Sequence, residues 1–179
     1  MTLAMTPFEP ATRSLMLNSI QRPVVFIEWA DRLITRHGLS DASARIWIDL
    51  IDEWTSFDRI DHGAYERLFD RIKAHRPASI TGNIPSAPVT VFRGQSGLAR
   101  PGLSWTTDPQ VARRFSQGHR GIAVRDPVVL RRIVRPDEIA FTSNDRREAE
   151  VVIFTGEGIA LPVVVTAEEA ASQDTRETL

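Results

Sequence analysis

The chain has 179 residues, 42% hydrophobic and 25% charged, with a formal net charge of −1. That length allows one domain or one and a half with a real core, and the near-neutral balance argues against a dedicated nucleic-acid binder. Zero cysteines exclude disulfides, thiolate metal sites and a Cys nucleophile, and four scattered histidines without ligand spacing argue against zinc.

No apolar run approaches the roughly 20 residues of a membrane span, and no charged flank followed by an apolar stretch marks a secretory signal. With the missing cysteines, this fits a reducing, cytoplasmic compartment. One Lys (Lys73) stands beside 21 Arg, which reads as codon bias in a GC-rich genome. Residues 89–166 hold 11 Arg against eight acids, and 167–179 hold one Arg against four. A mildly basic second half suits a phosphate-bearing small ligand, or is ordinary surface charge.

Residues 1–22 are mixed and Pro-interrupted, with one short helix expected around Arg13–Ile20. Pro23 then suits a first helical turn, Val25, Trp29 and Leu33 fall four apart, and Gly38 suits the stop. Ser40 is placed to cap a second helix, in which Ile46, Leu50 and Trp54 form one row and Trp47 with Ile51 another. Asp61 is placed to cap a third, with Tyr65, Leu68, Phe69 and Ile72 on one face. Stripes this wide bury against something, so the Trp and Tyr residues are read as core.

The stretch 77–88 contains Pro77, Pro85, Pro88 and Gly82 without periodicity, as in a linker or surface strap. After it the period becomes that of strands, expected at 89–93, 102–106, 121–125, 128–134, 138–142, 148–154 and 162–166. One helix interrupts them, with Asp108 as its cap, Pro109 in its first turn, Val111, Ala112 and Phe115 on one face, and Gly118 at its end. The expected architecture is therefore α+β. A helical subdomain covers 1–76, a Pro-rich linker 77–88, a β-rich domain 89–166 and a polar tail 167–179.

Three polar signatures sit at the ends of otherwise apolar strands. Glu148 and Glu150, two apart in an expected strand, would share a face roughly 6–7 Å apart. Side by side they repel, and one pKa tends to rise. They form either a solvated strand edge or a working pair. Arg93 follows Val89 and Val91 on one face, where its guanidinium can clamp a phosphate or pair with one of those glutamates. Gly94 would let backbone approach a ligand closely or take positive φ. Ser104 and Thr106 share a face, with hydroxyls able to orient a ribose or a carboxylate. No His is placed to activate a Ser nucleophile, and Gly94-Gln95-Ser96-Gly97 lacks the Lys of a phosphate-cradling Walker loop.

In this order, Phe92-Arg93-Gly94, Ser104-Trp105-Thr106 and Glu148-Ala149-Glu150 resemble the Arg–Ser–Glu class of ADP-ribosyltransferases, among them compact bacterial and phage members. The resemblance covers residues 89–155. It departs from the usual Ser-Thr-Ser signature at Trp105, and the span from Arg93 to Glu150 is short.

What the resemblance implies is an ADP-ribosyltransferase-like split β-sandwich with one short helix, a glycosyltransferase that consumes NAD without a metal. Arg93 would contact a phosphate and ribose of NAD, with Gly94 beside it. Ser104 would hold the catalytic glutamate, supported by Thr106. Glu150 would bond the ribose 2′-hydroxyl and stabilise an oxocarbenium-like transition state, and Glu148 would sit beside an arginine acceptor on a protein target. Trp105 or Phe115 would flank nicotinamide. The alternatives are an NAD glycohydrolase, a transferase acting on nucleic acid, or a transferase-like binding module without turnover. No membrane partner is expected.

Overall fold

Amphipathic stripes at helical spacing need an apolar partner, and in the computed structural model the three helices between Arg22 and Ile72 supply one another's. The structure describes residues 18–97, 99–118, 124–144 and 147–156, and the backbone of 163–165. The chain divides into two compact units, Met1–Gly82 and Asn83–Leu179. Of the helix expected around Arg13–Ile20, only 18–20 are described, and they form a turn leading into the next helix. The tail 167–179 lies outside the described residues.

In the first unit, helix α1 (Arg22–His37) has Pro23 in its first turn and ends at Gly38, whose N–H donates to the Ile34 carbonyl at 2.8 Å and whose positive φ of 82° turns the chain out of the helix. Helix α2 (Leu39–Trp54) follows at once. Gly38 supplies the carbonyl that receives the Ala42 N–H, so Ser40 lies inside the first turn and caps nothing, contrary to expectation. Helix α3 (His62–Ile72) is capped by Asp61, whose carboxylate accepts from the Ala64 N–H at 3.1 Å. A 3₁₀ turn (Lys73–His75) and a four-residue helix α4 (Ala78–Thr81) follow, so the first part of the expected linker is helical.

The core of this unit is aromatic. Trp47 stacks on Phe69 at 5.6 Å, and Trp54 meets Tyr65 edge-on at 5.7 Å. The polar tips of two of these residues are satisfied inside, Trp47 Nε1 donating to the Ile72 carbonyl and Tyr65 Oη to that of Pro23. The buried face of α1 is centred on Phe26, Ala30 and Leu33, so Val25 and Trp29 of the expected row lie at its margin, half-buried. Burial of Tyr65 without a charged partner pushes its phenol well above the usual range.

Among the described residues, the second unit is a six-stranded antiparallel sheet with one α-helix. Strands β1 (Val89–Ser96), β2 (Ser104–Thr106), β3 (Pro127–Val134), β4 (Ile139–Ser143), β5 (Glu150–Ile153) and β6 (Val163–Val165) lie in the order β4-β5-β2-β1-β3-β6. The long β1–β3 ladder pairs Val89 with Val134 through to Ser96 with Pro127, while β1 and β2 share only the pair Phe92–Thr106. Of the strand expected at 121–125, residues 121–123 are outside the description, and Val124 and Arg125 are not in a strand.

One face of the sheet carries Val91, Trp105, Leu130, Val134, Ile139, Val151 and Ile153 in a single cluster. The opposite face carries Phe92 and Val129 under Ala112 of helix α5 (Pro109–Ser116). Asp108 caps α5 as expected, accepting from Gln110 and Val111. Among the described residues, no helix is long and apolar enough to cross a membrane.

Trp47 is fully buried and carries both a stack and a hydrogen bond. Trp47→Ala is expected to lower stability by about 3–5 kcal/mol, seen as a fall in the urea midpoint. Val24→Ala, at a position 56% exposed, serves as the control and should stay within about 0.5 kcal/mol.

Candidate functional site

Where the β1–β2 ladder stops, polar side chains take over. Thr106 pairs with Glu150 and Ser104 with Val152 across β2 and β5, so Ser104 and Glu150 are diagonal neighbours on one face. A glutamate is long enough to span that diagonal. The Ser104 hydroxyl donates to Glu150 Oε1, which holds the carboxylate in one orientation.

Arg93 reaches the same residue from β1. Its Nη1 donates to the Ser104 carbonyl oxygen, just past the last paired residues of the two strands. Its Nε donates to Gln95 Oε1 at 2.9 Å. Arg93 keeps some exposed surface, but its guanidinium is enclosed deeply enough for burial to push its pKa down to about 10, with the Glu150 carboxylate opposing that fall. The cation therefore persists at neutral pH. Arg93, Ser104 and Glu150, which lie far apart in sequence, form one connected arrangement.

Glu148 is placed differently from its expectation. It is not in a strand, because β5 begins at Glu150. Arg147 and Ala149 on either side have φ of 57° and 44°, so the backbone turns at Glu148, and alternation does not set its direction relative to Glu150. Left-handed backbone at a residue with a Cβ costs about 1–2 kcal/mol, and local bonds offset it here. The Arg147 N–H donates to the Asn144 carbonyl, the Thr107 N–H to the Ala149 carbonyl, and Thr106 Oγ1 to the Glu148 carbonyl at 2.6 Å.

Thr106 is thus a structural link. Buried to 5% exposure, its hydroxyl donates to Glu148 and accepts from the Asp108 N–H at 3.0 Å, joining the turn before β5 to the start of α5. Trp105 is 2% exposed, lies in the core cluster and donates its indole N–H to the Gly102 carbonyl, so its ring is packed away from any ligand. Phe115 is half-buried on α5.

Gly94 also answers to packing. A Cβ there would lie 1.9 Å from the Ala112 carbonyl oxygen and 2.4 Å from the Ser116 nitrogen, so α5 occupies the space expected for a ligand. Its φ is not positive.

Gln95 is not among the expected site residues, because the expected strand ends at Arg93. Two residues beyond Arg93 in a strand that continues to Ser96, it shares Arg93's face, and that period of two was the available signal. Among the described residues, no group of three or more His, Asp or Glu side chains could hold a metal ion.

Register puts the Arg93 side chain on the sheet face of Val91 and Trp105 and those of Ser104 and Glu150 on the other, so Arg93 meets Ser104 at its backbone carbonyl rather than beside its hydroxyl. A guanidinium fork suits a phosphate or diphosphate, and a carboxylate held by a hydroxyl suits a sugar hydroxyl or a developing positive charge.

Gly94→Ala is expected to destabilise the second unit by about 1–3 kcal/mol or more, because backbone rather than a flexible side chain must move. The measurement is the thermal midpoint of the purified variant against the parent chain. Compared with known proteins, the chain matches no family model, no curated protein and no solved structure.

Proposed function

We propose that the chain is an NAD-dependent mono-ADP-ribosyltransferase that modifies arginine on a protein target. One observation carries the reading: Ser104 holds the Glu150 carboxylate with its hydroxyl and receives the Arg93 guanidinium on its carbonyl. The three signatures that suggested the resemblance are thereby joined at one residue. The sheet supports the finer reading of a split β-sandwich as well, since β4-β5-β2 and β1-β3-β6 join through one register pair.

In this proposal NAD is a substrate, and each group has a separate task. Arg93 binds the diphosphate through its fork of donors. Glu150 accepts from the 2′-hydroxyl of the nicotinamide ribose. As the N-glycosidic bond lengthens, positive charge grows on the sugar, and the fixed carboxylate stabilises it without having to reorient. Ser104 keeps that carboxylate from turning away. Nicotinamide leaves with the bonding electron pair, and the acceptor nitrogen attacks the vacated carbon.

Glu148 faces the acceptor. A guanidinium is a poor nucleophile while protonated, and a carboxylate beside it can orient it and take its proton during attack. The bonds that pin the Glu148 backbone favour such a fixed position.

Nicotinamide release from NAD, followed with and without agmatine, tests this. Glu150→Gln is expected to lower release by about a hundredfold or more, and Glu148→Gln to spare hydrolysis while cutting transfer to agmatine by about tenfold or more. Near-wild-type release and transfer in both variants would overturn the assignment of roles. An NAD-binding chain that releases no nicotinamide under any condition would be a binding module instead.

A further inference from the structure

We infer that Gln95 is a positioning residue for Arg93, setting which edge of the guanidinium is turned toward an anionic ligand. The inference rests on the proposed reading of Arg93 as an anion-binding group, and its geometry stands independently.

Gln95 is 8% exposed, and its side-chain bonds leave its amide one orientation. Nε2 donates to the Ser96 carbonyl at 3.2 Å and to the Ala99 carbonyl at 2.5 Å. Carbonyl oxygens only accept, so the NH₂ must face them and Oε1 must face the other way. There it receives the Arg93 Nε–H. The Ala99 N–H in turn donates to the Ser96 carbonyl, and the Gly97 N–H to that of Asp126, so the oxygens that fix the amide belong to a hydrogen-bonded turn.

Arg93 is therefore held at two points on its planar group, Nε by Gln95 and Nη1 by the Ser104 carbonyl. Two of its five N–H groups are used in this way, and three remain, one on Nη1 and two on Nη2, for the oxygens of a phosphate. Without Gln95, only the Ser104 contact would remain, and ligand binding would have to order the rest of the side chain.

The test uses the full chain with Gln95→Met, which keeps the length but removes the acceptor, and Gln95→Glu, which keeps an acceptor. The first readout is the Arg93 Nε–H resonance in ¹⁵N-labelled protein without ligand, assigned by its loss in Arg93→Lys. A slowly exchanging signal in the parent chain, lost in Gln95→Met and retained in Gln95→Glu, supports the inference. The second readout is NAD affinity by calorimetry. Gln95→Met should raise Kd about tenfold, with a smaller loss in the saturated rate of nicotinamide release.

An unchanged resonance in Gln95→Met overturns the inference even where NAD binds normally. So does an unchanged Kd. A parent chain that neither binds nor cleaves NAD defeats the transferase reading instead, and the resonance alone then decides the role of Gln95. If Gln95→Met does not fold, loss of the protected signal must be sought in Gln95→Leu, checked for native circular dichroism.

Discussion

Ser104 is used twice, once through its hydroxyl and once through its backbone carbonyl, and the polar part of the second unit is organised around those two bonds. The hydroxyl supplies a hydrogen to a carboxylate on β5, and the carbonyl takes one from a guanidinium on β1. A charge on either neighbouring strand is thereby tied to one short strand between them. That strand can serve both only because its ladder with β1 has ended, which frees its carbonyl from backbone pairing. A longer β1–β2 ladder would compete for the same oxygen.

The electrostatics follow from this enclosure. Burial works against the Arg93 charge, and the Glu150 carboxylate works for it. The outcome is a cation that survives at neutral pH while little water remains to screen it. In such surroundings a charge acts more strongly on an incoming ion than it would on an open surface. The supporting residues are themselves neutral: Ser104, Gln95 and Thr106 contribute direction without adding a competing charge.

The helices were legible in the sequence because burial at a period near 3.6 leaves a mark in composition. Asp61 and Asp108 were legible as caps because a short acceptor before a helix has a specific job. Arg93, Ser104 and Glu150 stood out for a related reason, as polar groups in apolar strands. The misplacements have physical causes too. Alternation puts Trp105 opposite Ser104 but does not say which face is core, and the core took the indole. Nothing in Arg147-Glu148-Ala149 announces a left-handed turn, since neither turning residue is Gly or Asn; tertiary hydrogen bonds impose it. Ser40 failed as a cap because Gly38 had already supplied the carbonyl.

Arg93 and Gly94 are adjacent in sequence yet respond to different demands. The arginine is held by Gln95 and the Ser104 carbonyl, while the glycine is the flat spot on which the backbone of α5 rests. Evolutionary comparison would therefore retain the pair for two unrelated reasons. A chain that drifted at residue 93 would still be denied a side chain at 94, so an invariant glycine here would testify to architecture and never, by itself, to an activity.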